Sequence, residues 1–219
     1  VVLTHLLYTL NFDISLAHCN FKLRGLESDK DEKFVKKIAT DLKVKVFTES
    51  FDTQKYADKN QLSTQVAARE LRYNWFQKLI EKYDFDVLLT AHHADDNLET
   101  FLINLTRGTG LEGLTGIPEI NQHIVRPLLI FSRDEIEQHA VKYNIEWRED
   151  KSNASTKYVR NKIRHQIIPV LKEINPNLLV SFQKTSEDLK ESQQIIDESI
   201  TKLKKIVVVL LENGTLKID

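Results

Sequence analysis

Residues 86–116, DVLLTAHHADDNLETFLINLTRGTGLEGLTG, constrain the fold more than any other part of the chain. They open on an apolar run, Val87-Leu88-Leu89, which fits a buried strand. Two histidines, two aspartates and a glutamate then fall between His92 and Glu99. Leu98, Leu102 and Leu105 follow at helical spacing with Phe101 beside them, and the stretch runs on into Arg107-Gly108-Thr109-Gly110. Strand, polar elbow, helix and glycine loop in that order is how an open α/β sheet presents a site at the carboxyl end of a strand.

Two readings of the elbow stand. In the first, Asp95, Asp96 and Glu99 are ordinary acids of a first helical turn, favoured by the helix dipole, and His92 and His93 are strand-end residues. In the second, the spacing builds a cluster. Asp95 and Glu99 are i,i+4 and Asp96 and Glu99 are i,i+3, so Glu99 can share a face with either aspartate. Such a cluster suits a cation, either a metal or an ammonium group. A zinc site is disfavoured, because adjacent residues on a strand point to opposite faces.

The 219 residues, 41% of them hydrophobic, suffice for one substantial domain with an appendage. A net charge of −1 supplies no global field for nucleic acid, so any RNA contact must use a local basic patch. The single cysteine, Cys19, excludes an intrachain disulfide and fits a reducing compartment, so we expect a cytoplasmic protein. No apolar run is long enough to span a membrane and no signal peptide is visible. The chain opens on Val1-Val2-Leu3 and contains no methionine, which leads us to expect a piece of a longer protein.

Taken in order, Val1 to Leu10 has helix-like spacing, Phe12 to His18 alternates as a strand, and Glu27 to Leu42 is a helix burying Phe34, Val35, Ile38 and Leu42. Val44 to Thr48 is a short strand. Ser63 is placed to cap a helix running to about Tyr83, with Leu71, Trp75 and Leu79 on one face. The alternation of helix and strand argues an α/β fold, an open parallel sheet with helices on both faces. Beyond Gly116, Ile124 to Leu129 is a short apolar segment. Ser132 and Glu135 match a capping box for a helix to about Tyr143, and Glu149 to Asn153 is a loop. A helix from Tyr158 to Lys172 opens with Lys157, Arg160, Lys162, Arg164 and His165 around it. Asn175-Pro176-Asn177 breaks the chain, so we expect a domain over 1–175, a helical linker or small helical domain over 176–205, and a further fragment over 206–219. In the linker Phe182, Leu189, Ile196 and Leu203 recur every seven residues, which allows a homodimer but fits intramolecular packing as well. Asn213-Gly214 between apolar stretches signals a hairpin.

Several stretches in order resemble one family. They are Leu16-Ala17-His18-Cys19-Asn20-Phe21, Leu23-Arg24-Gly25 and Glu27-Ser28-Asp29; then Ala67 to Tyr73 (AARELRY) and Ala91 to Thr100 (AHHADDNLET); then Arg107 to Gly110, Arg126-Pro127-Leu128 and Arg160 to His165 (RNKIRH). Together they resemble the tRNA(Ile)-lysidine synthetase family of the N-type ATP pyrophosphatase (PP-loop) group, over residues 1 to about 177. The family's phosphate-cradling loop, S-G-G-x-D-S, is not in the sequence and is expected just before Val1.

The resemblance implies an adenine nucleotide alpha hydrolase-like fold, a mainly helical C-terminal extension, and a two-step ligation. ATP adenylates the C2 oxygen of the wobble cytidine of a tRNA(Ile) with a CAU anticodon, and the ε-amine of free L-lysine displaces AMP to give lysidine. It implies ATP and Mg²⁺ as cofactors. It points to Asp95, Asp96, Glu99 and Arg160 as catalytic residues, to Asp96, Glu99 and His92 as holders of the lysine, and to Asp95 as a metal ligand. Arginines spread the charge of a reacting phosphate, which suits Arg160 and Arg164. Ala17, His18, Ala91, Arg107 and Gly108 complete the implied ATP site, and Arg24, Arg69 and Lys162 the implied tRNA surface. Plainer roles compete: strand-end packing for His18, a helix C-cap for Gly108, surface ion pairs for Arg24, Arg69 and Arg72. Two other functions remain open. Thiolation of tRNA by a related PP-loop enzyme generally needs several cysteines, and there is one. A non-catalytic tRNA- or nucleotide-binding module has little use for three acids facing a pocket.

Overall fold

A computed structural model describes residues 1–149, 159–210 and 216–218, with side chains to residue 207. The elements in order are α1 (Val2–Thr9), β1 (Ser15–Asn20), α2 (Leu26–Asp41), β2 (Lys45–Ser50), α3 (Thr53–Asn60), α4 (Thr64–Tyr83), β3 (Leu88–Leu89), α5 (Ala94–Arg107), α6 (Leu111–Leu114), β4 (Ile120–Asn121), β5 (Ile124–Val125) and α7 (Arg133–Lys142). After α8 (Val159–Lys162) come a π-turn (Ile163–Ile167), α9 (Ile168–Ile174), α10 (Leu178–Val207), β6 (Val208–Leu210) and β7 (Leu216–Ile218). The α/β class expected from the alternation is what forms. The described residues group into two compact units, one of Val1–Ala91, Ile120–Pro127 and Asp134–Asp150, the other of His92–Glu119, Leu128–Arg133 and Lys151–Asp219.

The first unit holds the parallel pairs. β1 lies parallel to β2 in the register Ser15↔Lys45, with α2 as the crossover between them. β3 lies parallel to β5, and β4 turns back antiparallel on β5. Of the strand expected at Val87-Leu88-Leu89, Leu88 and Leu89 form β3. Val2, Ala140 and Ile145 are buried together, with Leu6 and Ile136 packed against them. Helix α4 starts as expected, with the Ser63 hydroxyl accepting the Val66 N–H at 3.3 Å. Helix α3 was not visible in the apolar pattern. Its sequence, TQKYADKN, is polar almost throughout, and Asp52 caps it by accepting the Lys55 N–H at 3.2 Å.

The second unit is helical apart from the hairpin β6–β7, whose turn at Asn213-Gly214 lies outside the described residues, as does the expected loop from Asp150 to Asn153. Leu98, Ile163, Ile168 and Phe182 form its buried core, flanked by Phe101, Leu102, Ile103, Leu178 and Leu179. The Phe101 and Phe182 rings stand 5.2 Å apart. Leu105, at the end of the same apolar spacing, is 52% exposed. Asn175-Pro176-Asn177 is a turn inside this unit, the Asn175 side chain accepting the Asn177 N–H at 3.0 Å before α10 begins. Phe182 of the heptad series is buried and Leu189 half-buried, whereas Ile196 and Leu203 are exposed.

The single helix expected over 158–172 is broken by the π-turn, and two features of the sequence explain why. Pro169 has no N–H to give the carbonyl four residues before it, so the regular ladder fails there. The wider winding of the π-turn brings Ile163 and Ile168, five residues apart, into one core.

Candidate active site

Helix α5 carries the acids, and its start determines where they point. His93 is extended and precedes the helix, and Asp96, three residues on, accepts the His93 backbone N–H through Oδ2 at 3.1 Å. This is the carboxylate half of a capping box. It brings Asp96, Glu99 and Thr100 onto one face of the helix.

Each acid has cationic or amide partners from its own unit. Asp95 Oδ2 accepts the Arg133 backbone N–H at 2.8 Å, and Lys172 Nζ lies 3.3 Å from Asp95 Oδ1. His93 Nε2 lies 3.3 Å from Asp96 Oδ2. Glu99 is 1% exposed. Arg164 meets it as a two-pronged fork, Nε to Oε1 at 2.6 Å and Nη2 to Oε2 at 2.9 Å. The same Nη2 is 3.4 Å from Asp96 Oδ1. Arg160 stands behind, with Nε 3.8 Å from Glu99 Oε2, and donates to the Thr100 hydroxyl at 2.9 Å. The Thr100 hydroxyl in turn donates a hydrogen bond to the Asp96 backbone carbonyl at 2.9 Å.

The electrostatics follow from these contacts. A carboxylate as buried as Glu99 is tolerated only when paired and hydrogen-bonded, and the bidentate Arg164 fork supplies both. That pair holds the Arg164 guanidinium above its ordinary value against the effect of burial. Burial pushes the Asp95 carboxyl up. The contacts with His93, the Arg133 amide and Lys172 outweigh it and hold the group well below the usual carboxylate range.

Asp95, Asp96, Glu99, Arg160 and Arg164 are therefore brought together, and the acids and the arginines form one network rather than two separate sets. His92 is half-buried beside the helix start. Arg107 and Gly108 lie exposed at the end of α5, where Gly108 takes φ +72 as the C-cap. Lys162 is exposed at the end of α8. Ala17, His18, Ala91, Arg24 and Arg69 belong to the first unit. Ala17 and Ala91 are exposed, and burial lowers the half-buried His18 imidazole. Arg24 pairs with Asp31 at 2.8 Å, and Arg69 lies over the Tyr73 ring at 4.8 Å. Asp95, the candidate metal ligand, has both oxygens engaged. Among the described residues no group of three metal-ligating side chains gathers around a point.

Sequence reasoning missed His93, Thr100 and Lys172. The signal for Lys172 was its spacing from Arg160 and Arg164, multiples of four that place basic residues along one side of a helix.

A PP-loop domain model matches residues 1–171. The tRNA(Ile)-lysidine synthase of Porphyromonas gingivalis strain W83 is 47% identical over 191 residues, covering 87% of this chain and 42% of that protein. That of Bacteroides thetaiotaomicron is 41% identical over 207 residues, covering 93% of this chain and 49% of its own. That of Clostridioides difficile is 34% identical over 220 residues, covering 100% of this chain and 48% of its own. The chain thus spans about half the length of the curated relatives it matches. Among solved structures, the U34-tRNA thiolase NcsA from Methanococcus maripaludis, with its [4Fe-4S] cluster, aligns with a TM-score of 0.69 at 18% identity, over 87% of this chain and 67% of that one. At that identity the likeness shows the fold, an adenine nucleotide alpha hydrolase-like α/β arrangement with a mainly helical C-terminal region.

Proposed function

This chain belongs to the PP-loop family of ATP-binding domains, and from that premise we propose that it is the catalytic portion of a tRNA(Ile)-lysidine synthase. The reaction is ligation of free L-lysine to C2 of the wobble cytidine in a tRNA(Ile) with a CAU anticodon. ATP first adenylates the C2 oxygen and pyrophosphate leaves. The lysine ε-amine, relieved of a proton, then attacks C2; the bond from C2 to the adenylate oxygen breaks and AMP departs. The cell compartment that fits is the cytoplasm, and no helix among the described residues is long and apolar enough to cross a membrane.

The observation that supports this most is the pairing of Asp96 and Glu99 with Arg160 and Arg164 in one network, in a chain whose relatives carry that name. Lysine arrives as a cation with a pKa of about 10.4. Asp96 and Glu99 offer its ammonium a negative site, and either carboxylate is placed to accept the proton lost before attack. His92 borders the same helix start. Arg160, half-buried and tethered to Thr100, faces the phosphate charge that builds as pyrophosphate or AMP departs. Asp95, pinned by Lys172 and the Arg133 amide, orients the turn rather than ligating a metal, so Mg²⁺ is best assigned to the ATP phosphates. Ala17, His18, Ala91, Arg107 and Gly108 are assigned to the nucleotide and Arg24, Arg69 and Lys162 to the RNA.

Thiolation is the competing chemistry, and Cys19 speaks against it. Burial pushes its thiol up to about 11, so it is a poor thiolate at neutral pH. ATP–pyrophosphate exchange and incorporation of labelled lysine into tRNA(Ile), measured with the full-length protein and Mg²⁺, test the proposal. Both activities are expected in the parent, and Asp96→Ala is expected to keep exchange while losing incorporation. Absence of both in the parent would sink the lysidine reading.

A further inference from the structure

Glu99, at 1% exposure, needs a cation beside it at every stage of turnover, because a buried carboxylate left unpaired is strongly destabilising. In the structure Arg164 is that cation, on both Glu99 oxygens and within 3.4 Å of Asp96. Asp96 gives its other oxygen to the His93 amide, and Asp95 is engaged by Arg133 and Lys172. The acids assigned to the lysine ammonium are therefore already closed by the chain's own cations. We propose that Arg164 is an exchangeable counter-ion: a nucleotide phosphate draws its guanidinium off Glu99, and the ammonium of lysine takes its place, so that nucleotide and lysine bind with positive cooperativity.

The inference rests on the lysidine reading and adds the order in which the site assembles. Charge conservation drives it. Glu99 keeps a closely hydrogen-bonded cation before and after the exchange, with Arg160 3.8 Å away throughout, and Arg164 trades one anion for another. Lysine alone would crowd a third cation beside Arg160 and Arg164. The guanidinium fork grips phosphate in the same bidentate geometry as carboxylate, so the exchange sacrifices no hydrogen bonds. Arg164 is 20% exposed where Glu99 is 1%, so the anion has a side from which to approach. It also stands in the π-turn, a widely wound helical segment of a kind frequent at functional sites.

The test is equilibrium dialysis of labelled L-lysine against the full-length protein, with and without a non-hydrolysable ATP analogue. The reciprocal titration of the analogue with and without lysine is run beside it. The analogue is expected to tighten lysine binding about ten-fold, and lysine to tighten the analogue by the same factor, as linkage requires. Arg164→Lys keeps a cation on Glu99 but loses the fork, and is expected to cut the coupling to about three-fold or less. Equal lysine affinity in both conditions would overturn the proposal, as would undiminished coupling in Arg164→Lys. If that variant fails to fold, the reciprocal titrations of the parent decide, a coupling factor near one overturning the proposal. Lysine incorporated into tRNA without such coupling sinks this inference alone. No incorporation and no lysine binding in any condition sinks the reading beneath it.

Discussion

Glu99 illustrates how a residue's burial, rather than its type, sets its chemistry. As a helical acid it reads as a solvated surface group, yet it is among the most buried side chains described, and Arg164 is the reason it can be. Glu99→Gln removes one half of the fork and strands the other. We expect it to lower stability by about 3 kcal/mol, read as a drop in Tm, and to abolish lysine incorporation. Asp95 makes a pH-dependent contribution. Its carboxyl is held below the ordinary range, so the stabilisation is fully present above pH ~4 and drains away as pH falls toward the depressed value. Asp95→Asn should therefore melt below the parent at pH 7, and the gap should close as melts are taken from pH 4 to pH 2. Gly116 is a steric case. It takes φ +80, and a Cβ there would overlap the Asn97 amide oxygen, which itself accepts the Ile117 N–H at 2.6 Å. Gly116→Ala should cost about 1–3 kcal/mol in chemical denaturation.

At the scale of elements, the regular amphipathic parts were legible and the irregular parts were not. The helices read over 27–42 and 63–83 form at Leu26–Asp41 and Thr64–Tyr83, because each has a buried stripe or a side-chain cap to declare it. Helix α3 escaped because a short polar helix shows no period and announces itself only through Asp52. The π-turn escaped because a pattern search assumes 3.6 residues per turn, and the Ile163 to Ile168 spacing of five contradicts it. The acids of the site were legible from their spacing. Their partners were not, since Arg160, Arg164 and Lys172 lie more than sixty residues further along and pair through tertiary folding. The same holds for α10, whose Phe182 fills the core around α5. Phe182→Ala should cost about 3–5 kcal/mol by urea melting, and ending the chain at Asn175 should destabilise the α5 core as well.

At the scale of the whole molecule, a charge of −1 supplies no broad field for nucleic acid, so the proposed tRNA contact would rest on local basic residues. Binding of tRNA(Ile) by this portion alone should be weak and fall steeply as salt is raised from 50 to 200 mM. Arg24→Ala or Lys162→Ala should each lower the slope of log affinity against log salt by about one, as read by filter binding. The path of the chain through its two units carries a consequence in time. It changes unit at 91/92, 119/120, 127/128 and 133/134, and again between 149 and 159, so neither is a continuous run of sequence. Val2, in the first helix, is buried against Ala140 and Ile145. On a ribosome adding about 5–20 residues per second, α1 waits on the order of ten seconds for the residues that will cover it. Until then its apolar face stays open to water and to whatever chaperone meets the nascent chain first.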